Sequence, residues 1–267
     1  MLFFHPVNMV IFIFGAIVGS FLNVCILRIP EGESVIHPPS HCPNCKAPIA
    51  FYDNIPLFSY LILRGRCRAC KERISPRYCV VELLTACLAV ALFYKFGLGF
   101  DFLVLFVFVA GLIVVSCIDF DHWIIPDVIS LPGIVLGLSS SIVGYFGASE
   151  QFDIIPSPVS SLIGIMTGGG ILWLTAVIYA KVRGREGMGG GDIKLLAMIG
   201  AFLGWPSIPV SLLLGCLTGS VFGLVLMVVK RSGFKLDLAI PFGPFLCTGT
   251  VLYLFFSNEI IGFYLPH

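Results

Sequence analysis

The stretch REGMGGGDIKLLAMIG, Arg185–Gly200, sets three consecutive glycines, Gly189 to Gly191, in front of Asp192 and then turns apolar. Glycine destabilises helix interiors, and a carboxylate is expensive at membrane depth. A carboxylate on so pliable a backbone raises two questions. One is whether the apolar segment lies in a membrane. The other is whether Asp192 has a partner.

Composition answers the first. Apolar residues are 58% of the chain and charged residues 12%, with mean hydropathy +1.01. Soluble domains run nearer about one half and one quarter, so the chain reads as an all-α polytopic membrane protein. A spanning helix takes about 20 mostly apolar residues. Eight candidate spans follow: Val7–Leu27, Tyr78–Phe96, Phe102–Ile118, Val128–Phe146, Val159–Ala180, Ile193–Trp205, Ile208–Val229 and Leu238–Phe256. The sixth is too short to cross alone, and is either tilted or continued by the glycines before it. The first lacks a basic flank and runs directly into Asn23 and Arg28, so it reads as a retained span rather than a removed signal.

Charge orients the spans. Of sixteen Lys and Arg, eight lie between Arg28 and Arg77. Lys181, Arg183, Arg185 and Lys194 flank the glycines, and Lys230, Arg231 and Lys235 lie between spans seven and eight. Eight spans put all of these on one side, leaving Lys95 on the other. Basic loops stay cytoplasmic, so both termini face out. The loop Asp119–Asp127 is cytoplasmic too, although it carries no Lys or Arg. The net charge of +1 makes no case for a nucleic-acid partner.

The segment 30–77 is polar and rich in turn formers, a small cytoplasmic insertion between a first span (1–29) and the rest (78–267). Under fifty residues bury little core, and such units usually need a staple. Cys42-Pro-Asn-Cys45 and Cys67-Arg-Ala-Cys70, twenty-one residues apart, present four thiolates that can close tetrahedrally around a structural zinc. The spacing lies just beyond the usual zinc-ribbon range, and redox-active or free CxxC turns are the alternative. A cytoplasmic site disfavours structural disulfides. Arg64, Arg66, Arg68, Lys46 and Lys71 would offset the thiolate charge. Four cysteines leave no open position for metal catalysis. The other six, Cys25, Cys79, Cys87, Cys117, Cys216 and Cys247, read as small buried hydrophobes.

A second acidic cluster, CIDFDHWIIPD, runs from Cys117 to Asp127. Asp119 ends an apolar span. Asp121, two residues on, cannot share its helical face, and with His122 reads as a solvated loop residue. Asp127, after Pro126, reads as a helix cap or first-turn acid. By the topology above, Asp119 and Asp192 lie near the same membrane surface, as an aspartic protease requires. One carboxylate, ionised, takes a proton from water, and the other, protonated, donates to the peptide carbonyl. Held close in a poorly hydrated site, they cannot both ionise readily. Gly189 and Gly191 would then supply positive φ or close approach to an extended substrate, with Lys194 as a further supporting residue two positions past Asp192. The competing reading makes Asp192 a helix cap at a glycine turn.

These motifs together resemble those of the type IV prepilin peptidases. The likeness runs through GSFLNVCILRIP (Gly19–Pro30), the stretch Cys42–Glu82, IDFDHWIIPD (Ile118–Asp127) and EGMGGGDIKLLAMIGAFLGW (Glu186–Trp205). GxGD alone would also suit presenilin-like proteases. The resemblance implies that Asp119 and Asp192 are the catalytic pair. It further implies cleavage of a short basic leader after a glycine, on the cytoplasmic face of a bacterial inner membrane. Methylation of the new N-terminal amine from S-adenosylmethionine would follow, with the cysteine segment linked to that step. Implied partners are prepilins, pseudopilins and membrane lipid. Two departures stand out: Cys79 where similar sequences often carry proline, and a slightly long stretch between the aspartates, with a polar loop near Ser149–Ser157. No GxGxxG follows a strand and the polar segment is too small for a Rossmann unit. Gly65, Asp53, Asn54 and Glu82 lie in the region the resemblance covers; Gly65 and Glu82 are the cofactor-site candidates it implies, and Glu82 could equally touch the substrate amine or Arg77. Gly65 also reads as a turn glycine. Two rivals remain: a protease without transferase activity, and a proton-coupled transporter using the two aspartates. A transporter site normally sits at the bilayer midplane between inverted repeats, and no repeat is visible here.

Overall fold

An apolar run in lipid can satisfy its own backbone polar groups only as a helix or in a closed barrel, and here the runs form helices. The computed structural model describes residues 6–42, 44–147, 154–184, 189–229 and 240–264. Among these residues there are nine α-helices: α1 (Pro6–Arg28), α2 (Phe58–Ile62), α3 (Arg77–Phe96), α4 (Phe100–His122), α5 (Asp127–Gly147), α6 (Pro158–Arg183), α7 (Gly190–Leu203), α8 (Ser207–Val229) and α9 (Gly243–Tyr264). Helices α1, α3, α4, α5, α6 and α8 are long and apolar enough to cross a bilayer. Of the eight expected spans, the other two appear as α7 and α9. α7 has only 14 residues, about 21 Å at 1.5 Å per residue. α9 is apolar over Gly243–Ser257 and kinks at Phe256. Lys230, Arg231, Lys235 and Leu238, the stretch 148–153 of the polar loop, and residues 185–188 before the glycines lie outside the described residues. The outward apolar side chains are those of a lipid-facing surface: Met9, Phe146 and Val182 are 67%, 80% and 76% exposed. The protein is a polytopic membrane protein.

The chain divides into two compact units between Val114 and Val115. In the first, α1 and α3 pack antiparallel through small residues. A Cβ at Gly15 would stand 2.7 Å from the Ala86 Cα, and one at Gly19 2.8 Å from the Glu82 Cα. Asn23 Nδ2 donates to the Tyr78 carbonyl at 3.0 Å, and Asn8 bonds the Tyr94 hydroxyl. The segment between these helices folds as two matching knuckles. Cys42 N donates to Ala47 O and Lys46 N to Cys42 O, both at 2.9 Å; Cys67 N donates to Glu72 O at 2.8 Å and Lys71 N to Cys67 O at 3.0 Å. Lys46 and Lys71 both take left-handed φ, 57° and 60°. Isolated bridges His41–Pro48 and Arg66–Arg73 close the two loops.

In the second unit α7 is the core. A helix apolar all round is a buried one, and its residues from Leu195 to Leu203 are all buried. α6 runs antiparallel to it, with backbones touching: a Cβ at Gly164 would stand 2.3 Å from the Gly200 carbonyl oxygen, and one at Gly168 2.5 Å from that of Leu196. Ser161 Oγ donates across the same contact to Ala201 O at 2.7 Å. α5 runs parallel to α7, Gly133 against Met198 and Gly137 against Ala201. α8 and α9 pair antiparallel, Gly215 against Leu246 and Gly249 against Ser211. Spacings of four between these glycines let membrane helices approach closely.

Candidate active site

α4 does not end at Ile118. It continues through Asp119, Asp121 and His122, so the last two are exposed residues of a final helical turn rather than of a loop. Trp123 then takes φ 61° and donates its N–H to the Asp119 carbonyl at 2.9 Å. That left-handed residue closes the helix, an unusual place for a bulky side chain. Asp119 is left buried, 6% exposed, at the helix end. Its Oδ2 accepts the Gly243 N–H at 3.0 Å. Gly243 opens α9, so the positive end of that helix faces the carboxylate.

Asp192 sits in the first turn of α7. The cap position belongs to Gly189, with φ −70° and ψ 142° and no side-chain cap bond. Asp192 is therefore not the cap. None of Gly189, Gly190 and Gly191 has positive φ. Space is what the glycines supply, and unequally. A Cβ at Gly191 would stand 2.8 Å from the Ile125 Cβ, whereas Gly189 and Gly190 have nothing within 4 Å. Ile125 also reaches Gly243, whose Cβ would lie 3.3 Å from its Cδ1 and 2.6 Å from Asp119 Oδ2. Ile125 is thus wedged between the backbones that carry and contact the two carboxylates. Asp119 and Asp192 lie within electrostatic reach of one another, and both of the buried Cys247 thiol. Lys194 Nζ spans both oxygens of Asp127 at 2.7 Å, tying the first turn of α5, which Asp127 opens, to α7. The pair is exposed, 37% and 56%, and such pairs contribute about 0–1 kcal/mol.

In the first unit the four thiols converge. The Sγ atoms of Cys42, Cys45, Cys67 and Cys70 all lie within 4.8 Å of one another, and those of Cys42 and Cys70 are 3.8 Å apart. The edge of a tetrahedron with Zn–S bonds of about 2.3 Å is about 3.8 Å, so the donor set fits a metal ion. The backbone N–H of Cys45, helped by that of Asn44 and by neighbouring thiols, draws the Cys42 thiol down to about 7 against its desolvation. The Glu72 N–H also draws on Cys70, but desolvation by its close neighbours and the thiols of Cys45, Cys67 and Cys42 outweigh it and push Cys70 up to about 11. Thiols this crowded need a cation to ionise together. Arg68 is already engaged elsewhere. It holds Asp53 bidentately at 2.7 and 2.6 Å, keeps that carboxyl below its ordinary range, and lies over the Tyr52 ring.

A cavity of about 870 Å³ opens between the end of α1, the start of α3 and the knuckles. Glu82 lines it; Gly65 does not. Gly65 takes φ +64° in a turn, where a Cβ would stand 2.9 Å from the Tyr60 hydroxyl. Gly243, Ile125 and this cavity were not singled out in the sequence. Pro241-Phe-Gly-Pro falls inside the eighth expected span, and the Gly243 contact spans 124 residues.

A family model described as the Bacterial Peptidase A24 N-terminal domain matches residues 13–96. Another, the Type IV leader peptidase family, matches residues 106–224. A protein of Pseudomonas putida named prepilin leader peptidase/N-methyltransferase is 37% identical, over 93% of this chain and 90% of its own length. One of the same name from Aeromonas hydrophila is 36% identical, over 96% and 93%. One from Myxococcus xanthus is 39% identical, over 86% of this chain and 67% of its own. No solved structure matches. Likeness of this degree along nearly the whole of both chains means that the protein belongs to the type IV leader peptidase family.

Proposed function

We propose that the chain is a membrane aspartic endopeptidase that removes the leader of prepilins and pseudopilins and then N-methylates the new terminus. One observation carries the first activity: the carboxylates of Asp119 and Asp192, 73 positions apart in the sequence, share one locale at two helix ends, with Ile125 wedged beside them. Asp119, whose Oδ2 accepts the Gly243 N–H, takes a proton from the attacking water. Asp192, protonated, donates to the scissile carbonyl oxygen; as the tetrahedral intermediate collapses and the C–N bond breaks, Asp119 passes the water proton to the leaving amine and Asp192 recovers its own from the gem-diol. The open edge at Gly189 and Gly190 leaves room for an extended substrate backbone. In single-turnover cleavage of a detergent-solubilised prepilin, Asp119→Asn and Asp192→Asn should each lose at least about 100-fold, the low end of acid–base catalysis. Near-normal cleavage by either would sink the mechanism.

The relatives' name and the cavity above Glu82 support the second activity. S-adenosylmethionine, which supplies a methyl group, fits a cavity of this size, since small-molecule pockets run about 300–1,000 Å³. A zinc ion held by Cys42, Cys45, Cys67 and Cys70 would cross-link the two knuckles. The distribution of Lys and Arg supports a cytoplasmic location, at an inner membrane, for segment 30–77 and both aspartates. Labelling of a cysteine introduced at Ser75 by an impermeant reagent outside sealed cells would contradict that orientation.

A further inference from the structure

Glu82 is a carboxylate 92% buried, since it is 8% exposed, on the wall of the cavity in the first unit. Its Oε2 accepts the Leu57 N–H at 2.9 Å, and the Ser20 hydroxyl also bonds it. Among the described residues no Lys or Arg pairs with it. The Leu57 N–H is aimed there by an unusual backbone. Leu57 has φ 64° and ψ −50°, and Phe58 N donates to Pro56 O at 2.7 Å. This is a γ-turn of the rare positive-φ kind, which persists only where its surroundings enforce it. A buried carboxylate so held, facing a cavity and lacking a cation, is a receptor for one.

We propose that Glu82 receives the α-ammonium of the leader-free substrate and takes its proton during methylation. This rests on the methyltransferase reading above. Glu82 is the sixth residue of α3, about 8 Å along the helix from its start. The ammonium proton passes to the Glu82 carboxylate. The freed nitrogen lone pair forms the N–C bond as the C–S bond of S-adenosylmethionine breaks, its electron pair staying on sulfur. Other titratable groups on the cavity wall are Arg28 at the end of α1, Tyr78 and Cys79 from α3, and, from the segment between these helices, Glu31, Glu33, His41, Cys42, Lys46, Tyr52, Asp53, Tyr60, Cys67, Arg68, Glu72 and Arg73. Arg28 is turned to the Ser34 carbonyl and Asp53 to Arg68. His41 is common to every variant compared below.

The test uses the full-length protein in detergent, with Glu82→Gln as the variant and leader cleavage as the check on folding. Without methyl donor, wild type should bind a leader-free pilin peptide about 10- to 100-fold more tightly than its N-acetylated form, the range of a charged hydrogen bond. Glu82→Gln should lose that preference. Methylation by Glu82→Gln should be slow at pH 7 and approach wild type near pH 9, where an α-amine of ordinary pKa near 8 is already free. Equal preference in both proteins overturns the inference. So does a loss by Glu82→Gln of S-adenosylhomocysteine binding in place of the peptide preference, which would assign the ammonium to the donor. Failure of wild type itself to methylate leader-free pilin would defeat the transferase reading, and the inference with it.

Discussion

At the scale of single residues, Gly191 and Gly190 are neighbours with opposite prospects. Alanine at Gly191 drives a Cβ to 2.8 Å from Ile125, which cannot retreat freely because it also abuts Gly243. Alanine at Gly190 meets nothing and gains about 1 kcal/mol of helix propensity in α7. Gly191→Ala should therefore slow leader cleavage at least about tenfold, the effect of a misplaced catalytic group, while Gly190→Ala cleaves normally. Single-turnover rates measure both, and equal rates would remove the wedge argument. Asp121, exposed on the last turn of α4, should tolerate Asn far better than Asp119. The sequence made the two carboxylates legible, because Asp119 closes one apolar run and Asp192, after three glycines, opens another. It could not show how the glycines work. Positive φ and close approach leave the same residue in the chain, and only the position of Ile125 separates them.

At the scale of helices, the short sixth apolar stretch was visible in the sequence, but its role was not. Fourteen residues cannot cross a bilayer alone, and α7 does not need to, because α5 and α6 cover it. The signal was present as glycines four apart, Gly133 and Gly137 in α5 and Gly164 and Gly168 in α6. Such a pattern fixes which face is small but not which partner it meets. Gly164→Ala should lower thermal stability in detergent by at least about 1–3 kcal/mol, the usual overpacking penalty, because the obstructing atom is the Gly200 backbone oxygen. Gly170→Ala, further along the same helix with nothing within 4 Å, should be neutral. Cleavage should fall with Gly164→Ala too, since α7 carries Asp192. Equal melting of the two variants would mean that the α6–α7 contact is looser than its geometry.

At the scale of the whole molecule, the two proposed sites fall in different units of the chain, divided at Val114–Val115. Asp119, Asp192, Ile125 and Gly243 belong to the second unit; the four cysteines, the cavity and Glu82 belong to the first. Damage to one should then spare the other. The knuckles bury little beyond their own loops, and Cys45 and Cys70 are exposed, so a bound metal would be their main cross-link. Purified protein should carry about one zinc per chain by elemental analysis. Because ligand thiols must lose protons to bind it, and Cys70 is held up to about 11 without a cation, loading should release protons and weaken as pH falls. Cys45→Ser, or chelation, should expose segment 30–77 to protease and abolish methylation of leader-free pilin, while leader cleavage stays within about threefold of wild type, under 1 kcal/mol in the barrier. Parallel loss of both activities, with the membrane helices still folded by circular dichroism, would show that the peptidase site depends on the knuckles after all.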